Sequence, residues 1–520
     1  MGTLVSPLIL APVVLPPLGA LGYAVFGWRP ATRWLATGSM ALVLCTAVTL
    51  AAVVARTGPH TVAGGVLRVD ALSAYMLVAI GMIALLATAA TPAYLTAEIT
   101  AGRATARTAA RHCVLVALFV AAMAAALLAA DLGLLWVAIE ATTIATAFLV
   151  GQRRTRAAVE AAWKYVVICS TGIALALLGS FLLNYAATHA GRPGLNLETL
   201  NAIAPHLDTG VTRIAVVLLI LGFGTKVGLA PLHAWLPDAH SQAPAPVSAL
   251  MSGVLLSVAF YAILRVKHLA DAAIGPGFAR AMLLVMSLTT LAVAATLLLA
   301  QRDYKRMLAY SSMEHMGLLA FGAATGTRLA VAALLLHVLG HGLVKAVLFV
   351  GSGRILQLTG TSQVHQVRGL AARDPALAGC VGLGVLALLG FPPFSVFASE
   401  LGLFRAAFTA GLGWPAAVVL LLVLVITAAL LAHSAHMLLG NPTPRPAEPV
   451  PHTAPTSNLT SPTTRSYAEA TPAVPPAERG PLSTIAVLAA GLIACAVLGI
   501  TTGALQQLLY QAADTITSTP

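Results

Sequence analysis

At 520 residues, with 59% hydrophobic side chains, 9% charged ones and a mean hydropathy of +0.90, the chain cannot be an ordinary soluble domain, in which roughly a quarter of residues are charged. Its net charge of +12 sits in short loops between apolar runs, not on a solvent-facing basic patch, which excludes nucleic-acid binding. The apolar runs recur at about 20 residues, the length of a membrane-crossing helix, so the fold class is an all-α polytopic membrane protein in a lipid bilayer.

In chain order the runs predict fourteen spans, near 4–27, 34–55, 71–95, 112–130, 132–151, 162–187, 213–236, 246–264, 281–300, 307–325, 329–352, 376–397 (continuing to about 409), 415–439 and 482–511. No basic region precedes the first run, so it reads as a retained span rather than a cleaved signal. Almost nothing separates spans four and five around Asp131, which predicts a tight helical hairpin. Loops after odd-numbered spans hold Arg29 and Arg33; Arg103, Arg107 and Arg111; Arg153, Arg154 and Arg156; Arg302, Lys305 and Arg306; and Arg354, Arg368 and Arg373. Loops after even-numbered spans are poorer in basic residues, with Arg265, Lys267 and Arg280 after the eighth as an exception. The positive-inside rule then places both termini on the outer side of a cell inner membrane. Residues 441–481, rich in Pro, Thr, Ser and Ala, have no apolar periodicity and read as a disordered cytoplasmic linker; the glycosylation pattern Asn458-Leu459-Thr460 within it reads as chance.

Cys45, Cys113, Cys169, Cys380 and Cys495 lie in or beside apolar runs, and no pair has CxxC spacing. They read as small buried hydrophobes, so no cofactor, iron–sulfur cluster or metal is expected on this chain. Electrons, where involved, move through partner subunits.

Helix breakers accompany ionisable residues in three spans. Pro231 and Pro237 follow Lys226 in span seven, Gly340 and Gly342 flank His341 in span eleven, and Pro392 and Pro393 precede Glu400 in span twelve. Broken helices at membrane depth are tolerated where they line protein or water, and in transporters they mark the ion site. An inverted repeat with an offset of five spans pairs span seven with twelve. It also pairs span five with ten, matching Glu140 to Glu314.

Glu140 lies mid-span in LLWVAIEATTIA, where a charge costs on the order of 3 kcal/mol. It reads as a proton carrier facing a partner or water, or as a protonated structural carboxyl. Lys226 reads as a switch that makes and breaks a pair with a carboxylate, or as half of a permanent salt bridge. His337, His341 and Lys345, at four-residue steps, form one helical stripe spaced by roughly 6 Å per step, and imidazoles can relay protons. HxxxH is also a metal-ligand spacing, but no carboxylate or cysteine stands close in sequence to complete a site; core histidines are the third reading. Glu400 ends the series. Glu314 and His315 add an acid–imidazole pair, His233 and Asp238 flank the span-seven break, and Lys164 reads as a snorkelling lysine. His433 and His436 read equally as interfacial.

The stretch KVGLAPLHAWLPDAHSQAPAPVSALMSGVLL, with QRDYKRMLAYSS, the HxxxHxxxK stripe and LGFPPFSVFASELGLF, resembles the antiporter-like subunits of respiratory complex I. That family is shared with multisubunit sodium/proton antiporters and group 4 membrane-bound nickel–iron hydrogenases. The likeness runs from about Asp70 to His436. It implies a three-span segment at 1–111, two inverted five-helix units at 112–264 and 281–439, the linker at 440–481 and a last span within 482–520. It also implies Glu140 and Lys226 as the first charge pair, His337, His341 and Lys345 as the central relay, and Glu400 as the distal site. Family members commonly carry a lysine where Ser257 stands, so hand-off between the two half-channels must use water or another group here. The Glu314–His315 pair resembles the branch related to formate hydrogenlyase. The expected role is therefore a proton-translocating subunit of a membrane oxidoreductase complex, with other membrane subunits and a peripheral arm of hydrogenase-like and iron–sulfur proteins as partners. A Na+/H+ antiporter subunit, or a complex I subunit proper, is the alternative; a silent membrane anchor would gain nothing from so many intramembrane charges.

Overall fold

The computed structural model describes residues 2–440, 482–503 and 505–517; the 441–481 linker lies outside the described residues. The helices in chain order are α1 (Gly2–Phe26), α2 (Leu35–Thr57), α3 (Ala71–Thr100), α4 (Ala106–Leu128), α5 (Leu132–Val150), α6 (Arg156–His189), α7 (Leu197–Ile203), α8 (Thr209–Val227), α9 (Trp235–Gln242), α10 (Ala245–Leu250), α11 (Leu256–Ile274), α12 (Pro276–Leu299), α13 (Tyr304–Thr325), α14 (Arg328–Thr359), α15 (Leu370–Arg373), α16 (Pro375–Leu388), α17 (Ser395–Thr409), α18 (Gly413–Leu438), α19 (Leu482–Ile500) and α20 (Leu505–Thr517). A short antiparallel hairpin, His60–Val62 against Leu67–Val69, connects α2 to α3.

The chain spans the membrane many times. Among the described residues twelve helices are long and apolar enough to cross it, against the fourteen expected. The two shortfalls have different causes. Helix α13 is long enough, but its first turns read YKRMLAYSSMEH and are too polar. The predicted twelfth span is cut by its proline break into α16 and α17, each too short to cross alone. The predicted last span also ends early: α19 stops at Ile500, and α20 is a separate amphipathic helix that buries Leu508, Leu509, Ala512, Ala513 and Ile516.

Scarce carboxylates are placed at helix starts, where they meet the unpaired backbone N–H groups of the first turn. Asp131 closes the α4–α5 hairpin by accepting from the Gly133 and Leu134 N–H groups at 2.7 and 3.2 Å. Asp208 does the same for α8, and Asp303 for α13.

Helix α14 and the continuous helix α10–α11, whose middle turn Met251–Leu255 is π-helical, form the wholly buried centre. They cross at Gly253 and Gly342, where a Cβ on Gly342 would stand 2.8 Å from the Gly253 carbonyl oxygen. Small residues at such crossings let two backbones touch. Of the three predicted breaks, the one at Gly340 and Gly342 is absent: α14 runs unbroken from Arg328 to Thr359, and these glycines serve close helix packing without interrupting the helix. The other two are lined by protein, as irregular backbone in a membrane must be. The Ala230 N–H after α8 donates to Thr290 Oγ1 of α12 at 2.9 Å, and Gly499 of α19 packs directly on the Pro393 carbonyl before α17.

Candidate functional site

Two buried polar clusters flank the central helices, and each stands against one helix break. The first is built by α5, α6 and α8. Lys226 lies in the last turn of α8, is fully buried, and donates to Thr143 Oγ1 at 2.6 Å and to the Tyr165 hydroxyl. Its ammonium also sits 4.6 Å from the Tyr165 ring centroid. Trp235, the first residue of α9, packs edge-on against Tyr165 at 4.9 Å and donates its indole N–H to the Thr225 carbonyl at 2.9 Å. The break thus folds back to satisfy the carbonyl end of α8 and to wall in the lysine.

Glu140 lies one turn before Thr143 on α5 and is half-buried. Its Oε1 accepts from Ser170 at 3.4 Å, and its buried Oε2 has no partner. No direct ion pair within 4.0 Å joins it to Lys226. The structure therefore brings the two to one cluster without bonding them, which excludes a permanent contact salt bridge in this state.

The second cluster is built by α13, α14 and α17. Lys345, fully buried, donates to the Leu308 carbonyl at 2.8 Å and to the Ser311 hydroxyl. Two turns before it along α14, His337 Nε2 lies 2.9 Å from His315 Nδ1, and His337 Nδ1 lies 2.9 Å from Ser399 Oγ. The direction of this chain follows from hydrogen counting. Ser399 spends its single hydroxyl hydrogen on the Val396 carbonyl at 2.8 Å, so it can only accept from His337. With both rings neutral, His337 carries its hydrogen on Nδ1, and its Nε2 accepts from His315 Nδ1. His315 Nε2 is left as a bare lone pair, buried and without a partner. His341 stands between the relay and Lys345: its ring centroid is 4.7 Å from that of His315 and 6.3 Å from that of His337. Neither of its nitrogens has a partner. The Glu400 carboxylate, packed on Gly390 of the second break, comes within 4.8 Å of His315 and His337. Glu314 is buried beside His315 on α13.

The remaining candidates lie elsewhere. Lys164 and Asp238 pair at 3.1 Å in a polar cavity of about 390 Å³, where Lys164 also meets Glu160 and Asp238 also meets Arg306. Lys164 is thus bound into an ion network on one membrane face rather than free to snorkel. His233 sits half-buried in the first break. His433 bonds the Leu298 carbonyl at 3.2 Å and His436 accepts from Arg368 at 3.0 Å; both are structural contacts.

Three functional candidates escape sequence reading. His240 of α9 is fully buried, stacks on Phe349 of α14 at 5.0 Å, and has no partner on either ring nitrogen. The stack sets it against α14, the helix that carries Lys345 and the histidine stripe. Lys305, counted above as a loop charge, is 2% exposed and caps the end of α9 through the Ser241 and Ala243 carbonyls at 2.7 and 2.9 Å. Asp70 caps α3 and receives Arg265 through two short bonds of 2.7 and 2.6 Å. Burial alone would raise the Asp70 carboxyl, but Arg265 and the Ser73 donors hold it below the usual carboxylate range. The signal for His240 was its place in the same motif as Lys226, directly after the break.

Comparison with known proteins agrees with this architecture. Residues 129–427 match the family model described as NADH:quinone oxidoreductase/Mrp antiporter, TM. The chain is 42% identical over 281 residues to the hydrogenase-4 component F homolog of Methylacidiphilum infernorum, covering 54% of this chain and 59% of that protein. It is 36% identical over 302 residues to NADH-quinone oxidoreductase subunit N of Desulforudis audaxviator, covering 57% and 58% respectively. The matches thus span less than two thirds of these relatives' own length. A chain in the Mrp complex from Dietzia sp. DQ12-45-1b superposes with a TM-score of 0.82 at 25% identity, over 99% of this chain and 98% of that one. With more than half its length matched, and with its charged clusters set at two helix breaks, the chain belongs to the membrane-spanning NADH:quinone oxidoreductase/Mrp antiporter family.

Proposed function

We propose that this protein translocates protons as the antiporter-like subunit of a redox-driven membrane complex of hydrogenase type. One observation carries the reading. Lys226 and Lys345 are both fully buried, yet among the described residues neither has a carboxylate within 4.0 Å; their partners are hydroxyls and a carbonyl. Buried charges in a static scaffold are paired. A buried lysine held only by neutral oxygens suits a group that gains and loses its proton as a carboxylate nearby changes state.

The path runs from Glu140 to Lys226, across to His240, which takes the place of the lysine absent at Ser257, and on to Lys345. From there His341, His315 and His337 pass the proton to Glu400. The Ser252–Ser312 hydrogen bond of 2.7 Å beside the π-helical turn offers hydroxyls at the crossing. Glu314 adds a second acid to the distal half, while Lys164, Asp238 and His233 serve the mouth. The two units, 112–264 and 281–439, act as paired half-channels. The arginine bias supports a cell inner membrane location with both termini outside.

The partners this reading requires are other membrane subunits and a peripheral arm with hydrogenase-like and iron–sulfur proteins, through which the electrons would move. The likeness to a component F homolog supports that choice. A Na+/H+ antiporter subunit is the second reading, favoured by the full-length superposition on a chain of an Mrp complex. Native purification followed by mass spectrometry of the bound subunits separates them. Redox proteins in the complex support the first; small antiporter subunits alone overturn it.

A further inference from the structure

The distal cluster holds a donor set that chain order concealed. His315 of α13, His337 of α14 and Glu400 of α17 each offer a ligand atom within 4.8 Å of the other two. They come from three helices, which is why the HxxxH spacing alone supplied no third ligand. The hydrogen-bond direction adds a second observation. His315 Nε2 and His337 Nε2 both carry lone pairs, the first is buried without a partner, and Ser399 fixes the His337 ring through Nδ1. A ring nitrogen facing the site while the other is held by a hydrogen bond is the usual state of a metal-binding histidine.

We propose that His315, His337 and Glu400 form a binding site for a divalent ion of the zinc class. Two imidazoles and one carboxylate are a recurrent zinc donor set with ligand distances of about 2.0–2.2 Å. The 2.9 Å contact joins His337 Nε2 to His315 Nδ1, so the ion takes the place between them as the His315 hydrogen moves from Nδ1 to the unpartnered Nε2. Two nitrogens on one tetrahedral ion stand roughly 3.3 Å apart, and the contact opens by a few tenths of an ångström. His341, with both nitrogens unpartnered and its ring beside His315, is placed for the fourth position. A bound ion occupies the lone pairs that a passing proton needs. On the translocation reading above, the site therefore blocks the distal half-channel.

The test uses the full chain in its native complex, loaded with zinc and washed with a weak chelator. The wild type is expected to retain one more ion per chain than His337→Ala or Glu400→Gln, and its X-ray absorption spectrum to show imidazole nitrogens on the zinc. Ser399→Ala, which keeps every ligand and removes only the bond that orients His337, is expected to weaken binding by roughly 10–100-fold. Equal metal content in wild type and both ligand variants overturns the site, as does a wild-type spectrum without imidazole. If the ligand variants fail to assemble, the wild-type spectrum and the Ser399→Ala affinity decide. Proton uptake that falls with zinc and recovers on chelation supports the block; uptake indifferent to bound zinc overturns it. Absence of uptake even in chelator is a failure of the translocation reading instead.

Discussion

Tyr165→Phe perturbs the Lys226 site with little change of shape. The ring keeps its edge contact with Trp235 at 4.9 Å and its place beside the ammonium, and one hydroxyl acceptor is lost. A hydrogen bond to a charged group contributes about 1.5–3 kcal/mol. At about 1.36 kcal/mol per tenfold, that is a factor of roughly 10–150 against the charged lysine. Thr143 remains as an acceptor at 2.6 Å, so the lower end applies. Proton uptake per turnover in inverted vesicles should fall by roughly tenfold while the complex stays assembled. Added to Lys226→Ala, the same change should do little more, because both remove one switch. Unchanged uptake in Tyr165→Phe, with assembly intact, would refute the role given to the Lys226 site.

Three further outcomes follow from other parts of the molecule. Asp70→Asn leaves Arg265 buried without its counter-charge and should cost about 3–5 kcal/mol in thermal or denaturant unfolding. Because Asp70 is held below its ordinary range, the pair's contribution is present above the unfolded carboxyl value near 3.9 and is lost only as pH falls below it. The wild-type advantage over Asp70→Asn should therefore be flat from neutral pH to about 5, and a steady loss across that range would contradict the ion pair. Gly342→Ala drives a methyl against the Gly253 carbonyl and should destabilise by about 1–3 kcal/mol; an unchanged melting temperature would argue against the backbone crossing. A cysteine placed in 441–481 should resist an impermeant thiol reagent in intact cells and react in inverted vesicles, and labelling from outside would reverse the orientation.

The helices were legible because most apolar runs are about the length that crosses a bilayer, and the two breaks because proline cannot continue a helix. The stripe of His337, His341 and Lys345 was legible for the same local reason, since four-residue steps share a face. What stayed hidden depends on contacts between distant segments. Ser399 looks like any helix serine until α17 meets α14, and the third member of the metal set comes from α13. Lys305 looks like a loop charge, yet the carbonyls ending α9 draw it inside. The expected fourteen spans and the twelve helices long and apolar enough among the described residues differ where local hydropathy is a poor guide. Helix α13 is polar because its face lines the second cluster, and α16–α17 is split where Glu400 needs an irregular turn.

The central claim is that protons cross through the buried acid–lysine cluster of the first half. Glu140 and Lys226 lie further apart than 4.0 Å, so at an effective dielectric near 20 their interaction is below about 4 kcal/mol. The decisive measurement is proton uptake by inverted vesicles, recorded alongside the redox turnover of the complex, for wild type, Glu140→Gln and Lys226→Ala. Uptake should fall sharply in both variants with the complex still assembled, and the double variant should be little worse than either. Full uptake by Glu140→Gln in an intact complex would contradict the account.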